Sequence, residues 1–238
     1  MSAAPDAAGV EAIVLDIEGT TTPIAFVDAV LFPFARAQLR GFLQDPANAA
    51  ALQEPLRRLH EEWLVDPDHG PTEGGHYSAA EYVESLMDRD RKSPALKLLQ
   101  GLIWEGGYRT GVLKGDVFAD VPPALQRWRG AGLDIGIYSS GSELAQRLIF
   151  GRTPYGDLTP FISRFFDTGV GAKGTPASYQ RIAAALGRAA DRLLFVSDVT
   201  TELDAAAAAG CRAILCVRPG NRPQPDHPYG MIASFDEI

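Results

Sequence analysis

Residues 12–23 read AIVLDIEGTTTP. An unbroken apolar run containing β-branched Ile13 and Val14 meets Asp16, then Glu18 two residues on, then Gly19 and three threonines. A run that does not alternate is what a strand covered on both faces requires, the situation in a parallel sheet. Along an extended backbone residues i and i+2 share a face, so Asp16 and Glu18 leave the end of this strand side by side.

Similar runs recur at Leu133–Tyr138, Leu193–Val196 and Ala213–Val217, each ending in polar residues. Helical stretches alternate with them. Pro122–Gly130 precedes the second strand, Thr175 with Pro176 reads as an N-cap and first-turn proline opening a helix to about Leu186, and Thr201–Asp204 opens an alanine-rich helix stopped by Gly210. The alternation predicts an α/β fold, a doubly wound parallel sheet. Between the first and second strands lies a long stretch with helical patterns at Leu31–Leu43, Ala50–Leu64, Ser78–Met87 and Pro94–Trp104 and no strand. A loop of that length is implausible inside a compact domain, so residues 25–115 are expected to form an inserted helical cap over the carboxyl ends of the strands. The core is then 1–24 with 116–238. Asp66–Gly75 reads as a Gly/Pro-rich loop within the cap, and no repeats are seen.

The 238 residues suffice for a substantial core, and 46% hydrophobic and 22% charged residues are ordinary for a soluble globular protein. Lys and Arg number 22 against 30 Asp and Glu, a net charge of −8. That balance argues against a nucleic-acid partner and means that an anionic substrate must be met by a local site. Met1–Asp6 lacks the positive flank and apolar stretch of a signal peptide, no run approaches a membrane span, and Cys211 and Cys216 read as reduced, packed thiols. A cytoplasmic protein without a membrane partner is expected.

In open α/β sheets ligands bind beyond the carboxyl ends of the strands. Asp16, Ser139, Ser140 and Asp198 each follow a strand, and Lys173 sits in the flexible stretch Gly169–Gly174 before a helix. Two carboxylates from distant strand ends offer a hard cation oxygen ligands, and Mg²⁺ takes one or two while keeping waters and substrate phosphate oxygens. Hydroxyls, a lysine and loop amides suit the rest of a phosphoryl group. Phosphoryl transfer fits the set, with Asp16 as nucleophile and Glu18 as the acid that protonates the leaving oxygen and later takes a proton from water.

Asp16-x-Glu18-Gly-Thr20, the strand-end Ser139, Lys173 and Asp198 resemble, in order, the four motifs of the haloacid dehalogenase-like hydrolases. Most members carry Asp where this chain has Glu18. Leu15–Val27, Leu99–Trp104, Phe118–Val121, Ile137–Ser142, Ser197–Thr200 and Val217–Asn221 narrow the resemblance to the bifunctional enolase-phosphatases of methionine salvage. The resemblance implies a Rossmann-like core and enolisation of 2,3-diketo-5-methylthiopentyl-1-phosphate, followed by dephosphorylation to 1,2-dihydroxy-3-keto-5-methylthiopentene. It also implies one Mg²⁺ per subunit and a monomer. By position, Asp16 would be nucleophile and metal ligand, Glu18 a metal-site residue through its backbone carbonyl, and Asp198 the other ligand. Ser139, Ser140 and Thr20 would contact substrate, and Lys173 would contact phosphate and serve catalysis.

Plainer readings stand beside these. Ser139 and Ser140 could cap the next helix, Lys173 could be a solvated surface lysine, and Glu202 and Asp204 are favoured in a first helical turn by the dipole whether or not they support the site. Phe26, Phe32, Phe34 and Trp104 are candidates to line a pocket for the methylthio tail, with Phe26 foremost because it follows the catalytic loop, yet aromatics at such positions are usually core. His60, His69, His76 and His227 have no metal-ligand spacing. Gly-x-Ser-x-Gly fails around both serines, which excludes a nucleophile elbow. A general small-metabolite phosphatase and a phospho-accepting signalling module remain as alternatives.

Overall fold

The computed structural model of the chain describes residues 9–68, 76–91 and 93–238. Met1–Asp6, His69 and most of the stretch Asp66–Gly75 lie outside the described residues. In chain order the elements are β1 (Ala12–Leu15), α1 (Ile24–Phe26), α2 (Phe32–Gln44), α3 (Ala49–Val65), α4 (Ala79–Asp88), α5 (Pro94–Arg109), α6 (Val121–Gly130), β2 (Asp134–Tyr138), α7 (Glu143–Gly151), β3 (Arg164–Phe166), α8 (Pro176–Leu186), β4 (Leu193–Ser197), α9 (Thr200–Ala208), β5 (Arg212–Cys216) and β6 (Gly230–Ile232). The chain divides into two compact units, Met1–Asp28 with Lys114–Ile238, and Ala29–Leu113. None of the described helices is long and apolar enough to cross a membrane.

The first unit is built on a six-stranded sheet in the order β3-β2-β1-β4-β5-β6, parallel throughout. β1 is buried along its whole length because it has a strand on each side and packed faces above and below. Leu15 is in register with Ile137 of β2 and with Val196 of β4, so the three strands end at nearly the same level. Val14, Tyr138, Tyr179, Phe195 and Leu203 belong to one buried cluster that joins the sheet to α8 and α9. Both cysteines are free, buried thiols whose pKa values burial pushes up, to about 11 for Cys211 and about 12 for Cys216.

β3 and β6 leave no signal in the sequence. Each of the two strands is only three residues long and lies at a sheet edge, too short for a periodic signal. At α8, Thr175 holds the N-cap position with Pro176 behind it, yet its side chain makes no capping hydrogen bond. Ser178 instead turns its hydroxyl back to the Ala172 carbonyl at 2.8 Å. At α7 the cap is Ser142, which accepts from Ala145 N at 3.3 Å; Ser139 and Ser140 are free of that duty.

The helical unit packs α3 against α4 and α5, and α2 against α5. Leu39, Leu52, Leu59, Val83, Leu86, Leu99 and Ile103 supply its buried apolar positions. Trp104 Nε1 donates to the Leu31 carbonyl at 2.8 Å, and the Phe34 ring lies over Gly107, where a Cβ would come within 2.7 Å of it. These two aromatics are packing groups of the helical unit, and Phe32 leans on Trp104 with ring centroids 6.2 Å apart.

Candidate active site

Asp16 is the residue immediately after β1, and its amide still donates to the Val196 carbonyl at 3.0 Å, so the sheet ladder holds it. Ser139 follows β2, and Asp198 follows β4, the two neighbours of β1. From β1 the chain's strands run to one side through β2 and β3 and to the other through β4, β5 and β6; this reversal is where an open α/β sheet leaves a crevice. Asp16, Ser139 and Asp198, far apart in sequence, therefore emerge together.

The turn after Asp16 folds tightly. The amides of Thr20, Thr21 and Thr22 converge on the Ile17 carbonyl at 3.2, 3.0 and 2.8 Å, and Thr21 Oγ1 donates to the Asp16 carbonyl at 3.0 Å. Gly19 has φ +70°, and a Cβ there would collide with the Asp198 carboxylate. Only glycine meets both demands. Glu18 is exposed at the tip of the turn, whereas Thr20 is fully buried, its hydroxyl without a hydrogen-bond partner among the described residues.

Lys173 is not a surface lysine. The glycine-rich stretch that carries it hangs from three hydroxyls: Tyr138 donates to the Gly171 carbonyl at 2.9 Å, Ser178 to Ala172 at 2.8 Å and Tyr179 to Lys173 itself at 2.7 Å. Its Nζ lies 2.6 Å from Asp16 Oδ1 and 2.7 Å from Glu202 Oε2. Ser197 Oγ donates to Glu202 Oε2 at 2.9 Å and lies 3.4 Å from Asp16 Oδ2. Glu202 thus joins the site, while Asp204 accepts from the Tyr229 hydroxyl and is exposed. Glu202 lies in the first turn of α9, where Ser197 and Lys173 reach it, whereas Asp204 meets Tyr229.

Ser139 is buried and Ser140 half-buried. The Ser139 amide donates to Phe166 at 3.1 Å, and its hydroxyl accepts from Gly141 N at 3.2 Å, which fixes the oxygen at the sheet edge. Phe26 is buried at the end of α1.

Charge is unevenly matched. Burial works against the Lys173 ammonium, but the charges of Asp16 and Glu202 more than offset it and hold its pKa above the usual value. Burial and then the Asp16 charge raise Glu202. The same two causes push Asp198 up to about 7, and among the described residues no ion pair reaches it. Two carboxylates with no arginine between them, beside a glycine whose missing Cβ leaves room, fit a cation. Among the described residues no cage of three or more His, Cys, Asp or Glu forms. Sparse carboxylate ligation of that kind suits Mg²⁺, which retains water, better than Zn²⁺.

Residues 10–210 match the family model of the haloacid dehalogenase-like hydrolases. The enolase-phosphatase E1 of Synechococcus elongatus is 48% identical over 231 residues, covering 95% of this chain and 96% of that protein. The chain belongs to the enolase-phosphatase E1 family. A second member of the family, from Vitis vinifera, is a probable bifunctional methylthioribulose-1-phosphate dehydratase/enolase-phosphatase E1, 45% identical over 240 residues that cover 95% of this chain and 46% of that protein. Among solved structures, the UTR4 protein of Saccharomyces cerevisiae superposes with a TM-score of 0.76 at 34% identity, over 96% of this chain and 100% of that one. Enolase-phosphatase E1 proteins thus align with both units of this chain.

Proposed function

We propose that this chain is an acireductone synthase, a phosphatase with enolase activity that converts 2,3-diketo-5-methylthiopentyl-1-phosphate, through its enol phosphate, into 1,2-dihydroxy-3-keto-5-methylthiopentene. The observation that carries the proposal is Asp16 held at 2.6 Å by half-buried Lys173, while Asp198 beside them makes no ion pair among the described residues. That arrangement belongs to a carboxylate nucleophile beside a cation site. The Vitis relative's name, which joins this region to a methylthioribulose-1-phosphate dehydratase, supports the substrate. Loss of water from a 2-ketose 1-phosphate leaves a 2,3-diketone that still carries its phosphate.

Mg²⁺, one per subunit, would be held by the carboxylates of Asp16 and Asp198 and the backbone carbonyl of Glu18. When bound, it neutralises charge on the phosphoryl oxygens and polarises the substrate carbonyl. An Asp16 carboxylate oxygen attacks phosphorus, the bond from phosphorus to the enol oxygen breaks, and Glu18 gives that oxygen its proton. Water then attacks the aspartyl-phosphate, returning a proton to Glu18 and regenerating Asp16 as inorganic phosphate leaves. Lys173, fixed by Glu202 on its other side, sets the rotation of Asp16 and offers its charge to the phosphoryl group. Ser139, Ser140 and Thr20 are the substrate contacts, Phe26 lines the tail pocket, and the helical unit is the cap. The protein acts as a cytoplasmic monomer on a small metabolite.

Phosphate release from the diketo phosphate, with the acireductone appearing, against release from a panel of sugar phosphates tests the reading. Equal turnover of the sugar phosphates would replace it with a general phosphatase.

A further inference from the structure

Asn221 closes the turn Val217–Asn221 after β5, its amide donating to the Arg218 carbonyl at 3.1 Å. The turn is well anchored. Arg218 Nε donates to the Thr20 carbonyl at 3.2 Å, its Nη2 pairs with Asp120 at 2.7 Å, and its guanidinium lies 4.5 Å from the Phe118 ring and 4.8 Å from the Phe235 ring.

From that turn Asn221 Nδ2 donates twice, to the Gly19 carbonyl at 2.9 Å and to the Cys216 carbonyl at 3.2 Å. With both donors spent on carbonyls, the orientation of the amide is fixed by its network. A flipped side chain would set its own oxygen against two others. Oδ1 must therefore point the opposite way, and there it is buried with no hydrogen-bond partner among the described residues. A Cβ placed on Gly19 would lie 2.8 Å from Asn221 Oδ1 and would collide with Asp198 Oδ2. The amide oxygen and the carboxylate oxygen thus flank the one space that Gly19 keeps open. An amide oxygen with no partner among the described residues, sharing one space with a carboxylate oxygen, is complete only when a donor or a cation arrives.

We propose that Asn221 is part of the cation site, its Oδ1 accepting from the hydration shell of the Mg²⁺ while its Nδ2 ties down the Gly19 carbonyl. The inference rests on the cation reading of Asp16 and Asp198. Mg²⁺ surrenders its waters reluctantly, and those waters are strong donors that need acceptors. A neutral amide oxygen meets them without adding a third negative charge beside the two carboxylates. Partners of this kind orient the direct ligands and tune the affinity for the metal.

Calorimetric titration of the purified full-length protein with MgCl₂, without substrate, reads the effect. Asn221→Leu removes the oxygen and the donors; Asn221→Asp keeps an oxygen and loses the donors. The expected result is Mg²⁺ binding weakened about 10- to 100-fold in Asn221→Leu and held within about threefold of wild type in Asn221→Asp. Equal weakening in both would mean that only the tether to Gly19 matters, and unchanged affinity in Asn221→Leu would mean that neither does; each overturns the proposal. Unfolding temperatures in EDTA verify that the variants are folded. Should Asn221→Leu not fold, a loss of about tenfold or more in Asn221→Asp overturns the proposal, and retained affinity upholds it. Should neither fold, the side-chain amide signals of Asn221 in the wild type are expected to shift on saturation with Mg²⁺, and unmoved signals overturn it. A wild type that binds no Mg²⁺ brings down the cation reading itself.

Discussion

The two ends of the sheet treat carboxylates in opposite ways. At the amino end of β2, Asp134 lies 2.9 Å from Arg188 and 3.5 Å from Arg129, accepts from Ser163 at 3.0 Å, and shares Arg188 with Glu11 at 3.1 Å. Its partial burial is outweighed by Arg188 and Ser163, and its pKa is lowered. At the carboxyl end Asp16 and Glu202 divide one lysine, Asp198 has no ion pair among the described residues, and burial raises both Glu202 and Asp198. Arginines answer acids where the sheet needs only to be soluble and stable. Negative charge is left in excess where a cationic or phosphoryl ligand is to complete it, and that excess costs stability.

Breaking the carboxyl end should matter most. Asp16→Asn removes the nucleophile, and phosphate release should fall by about 10⁴-fold, with Mg²⁺ present and the protein folded. Full activity in this variant, measured as phosphate released from the diketo phosphate, would remove Asp16 from its role. Lys173→Met leaves Asp16 and Glu202 buried against each other, and kcat should drop about 10²- to 10³-fold, as loss of a charge-stabilising donor does. Glu202→Gln is the milder counterpart, because Lys173 keeps Asp16; its activity should fall between those of wild type and Lys173→Met.

A pH experiment sharpens the contrast further. Asp198 titrates near 7 in the fold and near 3.8 when unfolded, so between those values the native state binds the extra proton. Stability of the metal-free protein should therefore decline as pH rises from about 4 to about 7, by at most about 1.4 kcal/mol per pH unit for this group, and level off above. Urea unfolding in EDTA measures the slope. Asp198→Asn should flatten it, and a slope unchanged in that variant would locate the titration elsewhere. Mg²⁺, which binds the ionised form, should reverse the trend. The smallest effect belongs to the amino end. Asp134→Asn should cost about 1 kcal/mol or less in unfolding free energy and leave kcat unchanged, since a partly exposed ion pair contributes little.

What the sequence made legible follows from where its signals are strong. β1 is legible because Ala12–Leu15 is apolar without interruption, Asp16 because it directly follows that run, and Asp198 because only Ser197 separates it from another. β3 and β6 escape notice because three-residue edge strands have no period to detect. Lys173 is legible as a candidate, but not its partners: the contact with Asp16 spans 157 residues, and nothing local to either residue encodes it. Glu202 looks like any acid in a first helical turn until Ser197 and Lys173 are seen to hold it. Ser142 takes the cap that Ser139 or Ser140 could have filled, because α7 starts at Glu143, a few residues beyond the strand end.

The hydroxyls that suspend the Lys173 loop have a consequence for how damage spreads. Tyr138 and Tyr179 reach up to the loop from the middle of the core, where their rings meet each other and Phe195 at 5.6, 6.4 and 4.9 Å between centroids. The lysine is aimed by the same stack that holds the sheet to its helices. A trimmed side chain deep in that stack, such as Phe195→Leu, would detune the enzyme at temperatures where the protein is still intact, so a screen for lost activity would report on the interior as well as the crevice.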